Sequence, residues 1–180
     1  MKSSLTSSDA YRYGFQGFKG KIKCYLLCHG FKVTYFMRMA KNGSLFLRWF
    51  YRLMFMRNMV KFGVATHWSL TVGKGLYIGH FGGIVINPNA KIGDNCNINQ
   101  GVTIGAENRG ARKGAPTIGN RVWIDANSVV VGNITIGDNV LIAPLTLVNF
   151  DVPSNSMVIG NPAKIIPNEH ATEGYINRCV

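Results

Sequence analysis

From Val72 onward the chain sets aliphatic residues on a six-residue beat. They stand at Val72 and Ile78, then at Ile86, Ile92, Ile98 and Ile104, then at Ile118, Ile124, Val130, Ile136, Ile142 and Val148. Nine of the eleven intervals are six, and the other two are eight and fourteen. Glycine often follows the aliphatic residue, as in IGDNCN, IGNRVW and IGDNVL. A small or β-branched residue often stands four places after it, at Ala90, Val102, Val122, Ser128, Val140 and Thr146. A period of six matches neither the repeat of an amphipathic helix nor the two-residue alternation of a long strand. It suits short strands joined by tight turns, with each aliphatic residue pointing into one narrow core and three beats closing a triangular coil of about eighteen residues. A sandwich of short strands has turn signals every ~8 to 12 residues and fits the spacing less well.

The first 65 residues carry no such beat. FKGKIKCYLLC and LFLRWFYRLMFM place aromatic and aliphatic residues three and four apart, as amphipathic helices do. HGFKVTYFMRMAKNG, between them, ends on the Asn-Gly that closes a helix or turn. The pattern predicts two or three short helices in a basic, aromatic region over 1–65. It predicts the repeat domain over 66–166 and a short terminal cap over 167–180.

The repeat, together with IGHFGGIVINPNAKIGDN, INQGVTIG, AENRGARKGAP and IGNPAKII, resembles the hexapeptide-repeat acyltransferases. Within that family it looks most like the serine acetyltransferase branch and its relatives that O-acetylate bacterial surface polysaccharides. The resemblance covers about residues 66–166. It implies a mainly β fold, a left-handed parallel β-helix, which is an exception to the usual right-handed crossover. It also implies a homotrimer, acetyl-CoA as acyl donor and transfer to a hydroxyl. A capsular or exopolysaccharide sugar is the first acceptor considered, serine or another small molecule is the alternative, and a trimeric scaffold without turnover is the reading from a different class.

Both irregular intervals fall where chemistry is expected. If Ile78, Ile86 and Ile92 form one coil, Ile98 stacks over Ile78, and His80 lies beneath Gln100 and then Ala126. The two surplus residues between Ile78 and Ile86 then bulge the corner and turn His80 outward, with Gly79, Gly82 and Gly83 allowing the backbone angles of a bulge. A histidine so placed suits general base catalysis, and His80 coincides with the family's catalytic position. The bland reading is a turn histidine satisfied by backbone. The second slip inserts a loop carrying Glu107, Asn108, Arg109, Arg112 and Lys113. The resemblance makes this loop part of an acceptor site, with Gln100, shared with the neighbouring subunit; otherwise it is a solvated surface loop. By the same resemblance Gly105 and Ala106 sit near the thioester, Ala126 and Ala143 lie along the pantetheine arm, and Lys164 lies near the phosphates or adenine. Gly105 or its neighbour is placed to offer a backbone N–H to the oxyanion.

This chain also departs from the serine acetyltransferase pattern. Gly79 stands where those enzymes have Asp directly before the histidine, and Ala65 stands where they have its partner Asp. Gly114, Ala115 and Pro116 replace the loop's Arg-His-Pro. Groups that grip serine's charged ends are therefore expected to be missing, and the group that orients His80 is left open.

Charge sharpens the picture of the first region. Residues 1–65 hold twelve Lys and Arg against the single acid Asp9, so they carry +11 of the chain's +12. Such asymmetry points to an anionic partner for that segment. Capping of the first coil and contact with an anionic membrane are the two roles expected of it. Nucleic acid binding is not expected, because no groove-reading motif accompanies the charge. No run reaches the ~18 apolar residues of a membrane span, and no secretory signal is read at the N-terminus. The predicted location is cytoplasmic, peripheral at the inner face of a bacterial membrane. Cys24, Cys28, Cys96 and Cys179 show no CxxC spacing, which suits reduced thiols. A zinc site on this scaffold needs three histidines, and the coils offer only His67 and His80, so no metal is predicted.

Overall fold

In a computed structural model that describes residues 4–180, the repeats form a left-handed β-helix of three parallel sheets. The first sheet stacks Val64–Ala65, Ile84–Ile86, Thr103–Gly105, Val129–Val131 and Leu147–Val148. The second stacks Thr71–Val72, Lys91–Ile92, Thr117–Ile118 and Thr135–Ile136. The third stacks Asn97–Ile98, Val122–Ile124, Val140–Ile142 and Ser156–Gly160, and is closed by the antiparallel strand Ala163–Pro167. The prism therefore begins at Val64 rather than residue 66, and its last strand runs to Pro167.

The six-residue beat is the core. Ile78, Ile86, Ile92, Ile98, Ile104, Ile118, Ile124, Val130, Ile136, Ile142 and Val148 are all buried, and only Val72, in the first coil, is partly exposed. The small residues four places on, Ala90, Val102, Val122, Ser128, Val140 and Thr146, are buried as well. Each aliphatic side chain removed from water contributes roughly 1.5–3 kcal/mol against the entropy of ordering the coil. Between these layers the chain turns corners at Asn95, Asn127, Asn139 and Asn155, which take left-handed φ of 55 to 58°, a conformation that asparagine tolerates better than most residues.

Four helices precede the prism: α1 (Leu5–Arg12), α2 (Gly17–Leu27), α3 (His29–Asn42) and α4 (Arg48–Phe62). The sequence pattern predicts the last three, and α3 ends at the expected Asn42-Gly43, where the Gly43 N–H donates to Met39. It does not predict α1, which starts at an N-cap where the Ser4 hydroxyl accepts the Ser7 N–H. The helices cover the open end of the first coil. Asp9 and Arg38 form a buried pair at 2.6 and 2.9 Å, Leu76 donates its N–H to Asp9, and Arg38 reaches the carbonyl of Gly73 at 2.6 Å. Burial pushes the Asp9 carboxyl up, and Arg38 draws it back down. Among the described residues no helix is long and apolar enough to cross a membrane.

The tail is not an end cap. It leaves the last strand and runs along the third sheet, where Thr172 and the carbonyl of Glu169 bond Asn139. Tyr175 meets Trp123 edge to face at 5.3 Å, the Asn177 carbonyl accepts from Arg12, and Val180 exchanges two hydrogen bonds with Asn95.

Candidate functional site

The corner after Ile78 leaves the stacking register. Tyr77 pairs with Asn97, a step of twenty residues, whereas Val85 pairs with Thr103, a step of eighteen. Two residues are therefore shed from the ladder across 79–84, as the eight-residue interval predicts. Gly82 and Gly83 absorb them at φ of 108° and 66°. Gly79 does not share that role, because its φ is not positive. It is small for a different reason: a Cβ there would lie 2.7 Å from the Tyr77 ring.

His80 is exposed on this bulge, outside the prism. Gln100 lies one coil above it and Ala126 one coil higher, tied together by the Asn127 N–H donating to the Gln100 carbonyl. A cavity of about 380 Å³ opens beside the ring, lined by Tyr77, Gly79, His80, Asn99, Gln100, Trp123 and Asp125. That volume falls in the range of roughly 300–1,000 Å³ typical of small-ligand sites. Asp125 accepts from Asn99 and from the Ala126 N–H, both at 2.8 Å. The Trp123 indole N–H is buried and, among the described residues, has no partner. No hydrogen bond to the His80 ring is formed among the described residues.

Tyr77, Asn99, Trp123 and Asp125 were not among the residues read from sequence. The signal was present in the register: once Ile98 sits over Ile78 and Ile124 over Ile98, Tyr77 falls in line with Asn97 and Trp123, and Gly79 with Asn99 and Asp125.

The two halves of the expected site lie on different corners of one chain. His80, Gln100 and Ala126 follow the third sheet, and Ala143 borders the same corner, its N–H bonded to Val158. Gly105 ends a strand of the first sheet and Ala106 follows it, with Gly105 paired to Val131 and its carbonyl accepting from Gly132. The inserted loop follows from there and folds back on itself. Glu107 and Gly114 exchange two backbone hydrogen bonds at 3.0 Å, Arg112 pairs with Glu107 at 3.1 Å, and the Arg112 carbonyl accepts from Asn133. Asn108 and Arg109 are exposed at its tip. Lys164 stands exposed at the top of the prism. Within one chain the loop does not reach the His80 cavity, which has none of its residues in its lining. Among the described residues no three His, Cys, Asp or Glu side chains gather as metal ligands.

The three outer faces of the prism differ. The second sheet shows water Thr71, Lys91, Thr117 and Thr135, and the third is covered by the tail. The first sheet presents Ala65, Val85, Thr103, Val129 and Leu147, an uncharged and largely apolar strip that no other element covers among the described residues.

Residues 115–149 match the family described as bacterial transferase hexapeptide (six repeats). A serine acetyltransferase of Helicobacter pylori is 34% identical over 146 residues, which are 81% of this chain and 79% of that protein. A serine acetyltransferase of Synechococcus elongatus is 42% identical over 104 residues, 58% of this chain and 43% of that one, so the chain matches less than half of that relative's length. The solved structure of soybean serine acetyltransferase complexed with serine superposes with a TM-score of 0.76 at 28% identity, over 91% of this chain and 68% of that one.

Proposed function

We infer, from this chain's membership of the hexapeptide-repeat transferase family alongside the serine acetyltransferases, that it moves an acetyl group from acetyl-CoA to an aliphatic hydroxyl. The observation that carries the inference is His80, held outside the core on a glycine bulge and opening onto a cavity. A hydroxyl is a poor nucleophile while it keeps its proton. Histidine is the side chain whose charge changes near neutral pH, so His80 takes that proton as the oxygen attacks the thioester carbonyl. A C–O bond forms, the oxyanion collapses, and the C–S bond breaks. The imidazolium then returns the proton to the departing thiolate, leaving an O-acetyl ester and free CoA.

The half-buried Gly105, Ala106, Ala126 and Ala143 suit a pantetheine arm because they offer backbone and methyl groups without bulk. Lys164 suits its phosphates. The uncovered strip on the first sheet supports a trimer in which copies pack through that face, beside the His80 corner. Such packing would supply His80 with a neighbour's loop, bringing Glu107, Asn108, Arg109 and Arg112 to the acceptor.

L-serine is the acceptor that the relatives' names support, and it is the first reading. A sugar hydroxyl is the second, favoured by the cavity itself. Tyr77 and Trp123 give aromatic walls, and Asn99, Gln100 and Asp125 give hydrogen-bonding groups for a polyhydroxylated ring. Gly79, Ala65 and Ala115 also stand where the resemblance expects the serine-binding and histidine-orienting groups. The test is thiol release from acetyl-CoA with L-serine or a panel of hexoses and N-acetylhexosamines, with products weighed by mass spectrometry. Acetylated serine supports the first reading, and an acetylated sugar with serine inert supports the second. Release no faster than hydrolysis with every acceptor contradicts both.

A further inference from the structure

The helical region leaves large apolar side chains in water. Phe46, Val60, Leu45, Phe18 and Trp49 are between 75% and 91% exposed. They are ordered rather than scattered: Phe18, Ile22 and Leu26 form one stripe of α2 at four-residue spacing, and Leu45, Phe46 and Trp49 crown the turn from α3 into α4. Helix α4 has only Phe55 and Phe62 buried. Between α2 and α4 lie two grooves, of about 510 and 670 Å³, that share Tyr25 and Met54, and the larger groove is edged by Lys32, Arg57 and Lys61. Contiguous apolar surface of this extent on a folded chain marks a place that meets another apolar phase.

Charge selects the partner. The segment's single acid, Asp9, is buried against Arg38, so the open face carries cations without compensation. Packing the face against its own copy would bring two such fields together, which electrostatics disfavours. An anionic lipid surface instead attracts the lysines and arginines while admitting the aromatic and aliphatic tips. We propose that the α2 stripe, the Leu45–Trp49 turn and the grooves beside α4 dock the protein on the surface of an anionic phospholipid bilayer. The face shares no residue with the His80 cavity or the first-sheet strip and is independent of the acyl-transfer chemistry, so the two proposals stand or fall separately.

Flotation of the full chain with vesicles of phosphatidylcholine alone, or with phosphatidylglycerol added, tests this. Binding at least tenfold tighter to the anionic vesicles is expected at ~0.1 M salt, where charges are screened over about 10 Å, and should weaken at 0.5 M salt, where that length falls to about 4 Å. Phe46→Ser with Trp49→Ser should lower that binding a further tenfold, with the circular dichroism spectrum and the oligomeric mass unchanged. Equal binding to both vesicle types, or binding untouched by the double substitution, overturns the proposal. So does a fall in oligomeric mass in the double variant, which would assign the face to a second copy of the chain.

Discussion

The phenolic oxygen of Tyr13 lies 3.0 Å from both the amide nitrogen and the carbonyl oxygen of Ile78, accepting from the first and donating to the second. One side chain at the C-cap of α1 thus does for the first coil what a preceding strand would do, two residues before His80. Burial pushes the Tyr13 phenol well up, so the group keeps the proton it donates. Tyr13→Phe removes both bonds and leaves two buried backbone groups unpaired, at a cost of about 1–3 kcal/mol for each such group. Thermal unfolding should register that loss. In steady-state kinetics kcat should fall while KM for acetyl-CoA holds, because the change reaches His80 and not the groove.

Gly30 in α3 faces the same Ile78. A Cβ there would stand 2.0 Å from the Ile78 carbonyl oxygen and 2.8 Å from the Tyr13 hydroxyl. Gly→Ala inside a helix ordinarily stabilises by up to ~1 kcal/mol. Here the sign reverses: Gly30→Ala should lower the denaturant midpoint, and a midpoint at or above that of the parent would contradict the packing described.

The uncharged strip on the first sheet predicts the oligomer. Val85→Glu combined with Leu147→Glu places carboxylates on that face without entering the core, since Val85 is exposed and Leu147 half-buried. Burying such charges in an interface is strongly unfavourable. Light scattering should show a trimer in the parent and a monomer in the variant, with acetyl transfer lost together with assembly.

Burial pushes the Cys96 thiol up to about 12, because the side chain lies inside the prism. Between the unfolded value near ~8.5 and the folded one, only the unfolded chain releases this proton. Stability from this residue is therefore complete below pH ~8 and declines as pH rises, by about 2 kcal/mol at pH 10. Denaturant titrations at pH 8 and pH 10 check the slope against Cys96→Ala, which should lose it. In the native state Cys179, which is exposed, should react with a thiol reagent, and Cys96 should not.

Much of the prism was legible because its geometry is periodic. An inward side chain recurs at every sixth residue, so the core could be named from Ile78 to Val148. A deviation from six can only be a corner that leaves the ladder, which is why the eight-residue interval located His80. What lacks a period was harder to read. Helix α1 is polar and is specified by Ser4 at its cap and by Asp9, Arg12 and Tyr13, whose partners lie 29 to 165 positions away. The tail's path depends on Asn95 and Asn139, corner residues whose side chains bond chain segments with no repeat of their own. Trp123 and Asp125 could have been found by carrying the register of Ile78 through Ile124 sideways by one residue.

His80 is proposed to deprotonate the acceptor. That role is tested most directly by thiol release from acetyl-CoA with the preferred acceptor, in the parent and in His80→Ala, with CoA affinity measured by calorimetry alongside. The substitution should lower kcat by roughly 10²–10⁴, the usual weight of general base catalysis, while CoA binding stays within about twofold. Turnover unchanged in His80→Ala would contradict it.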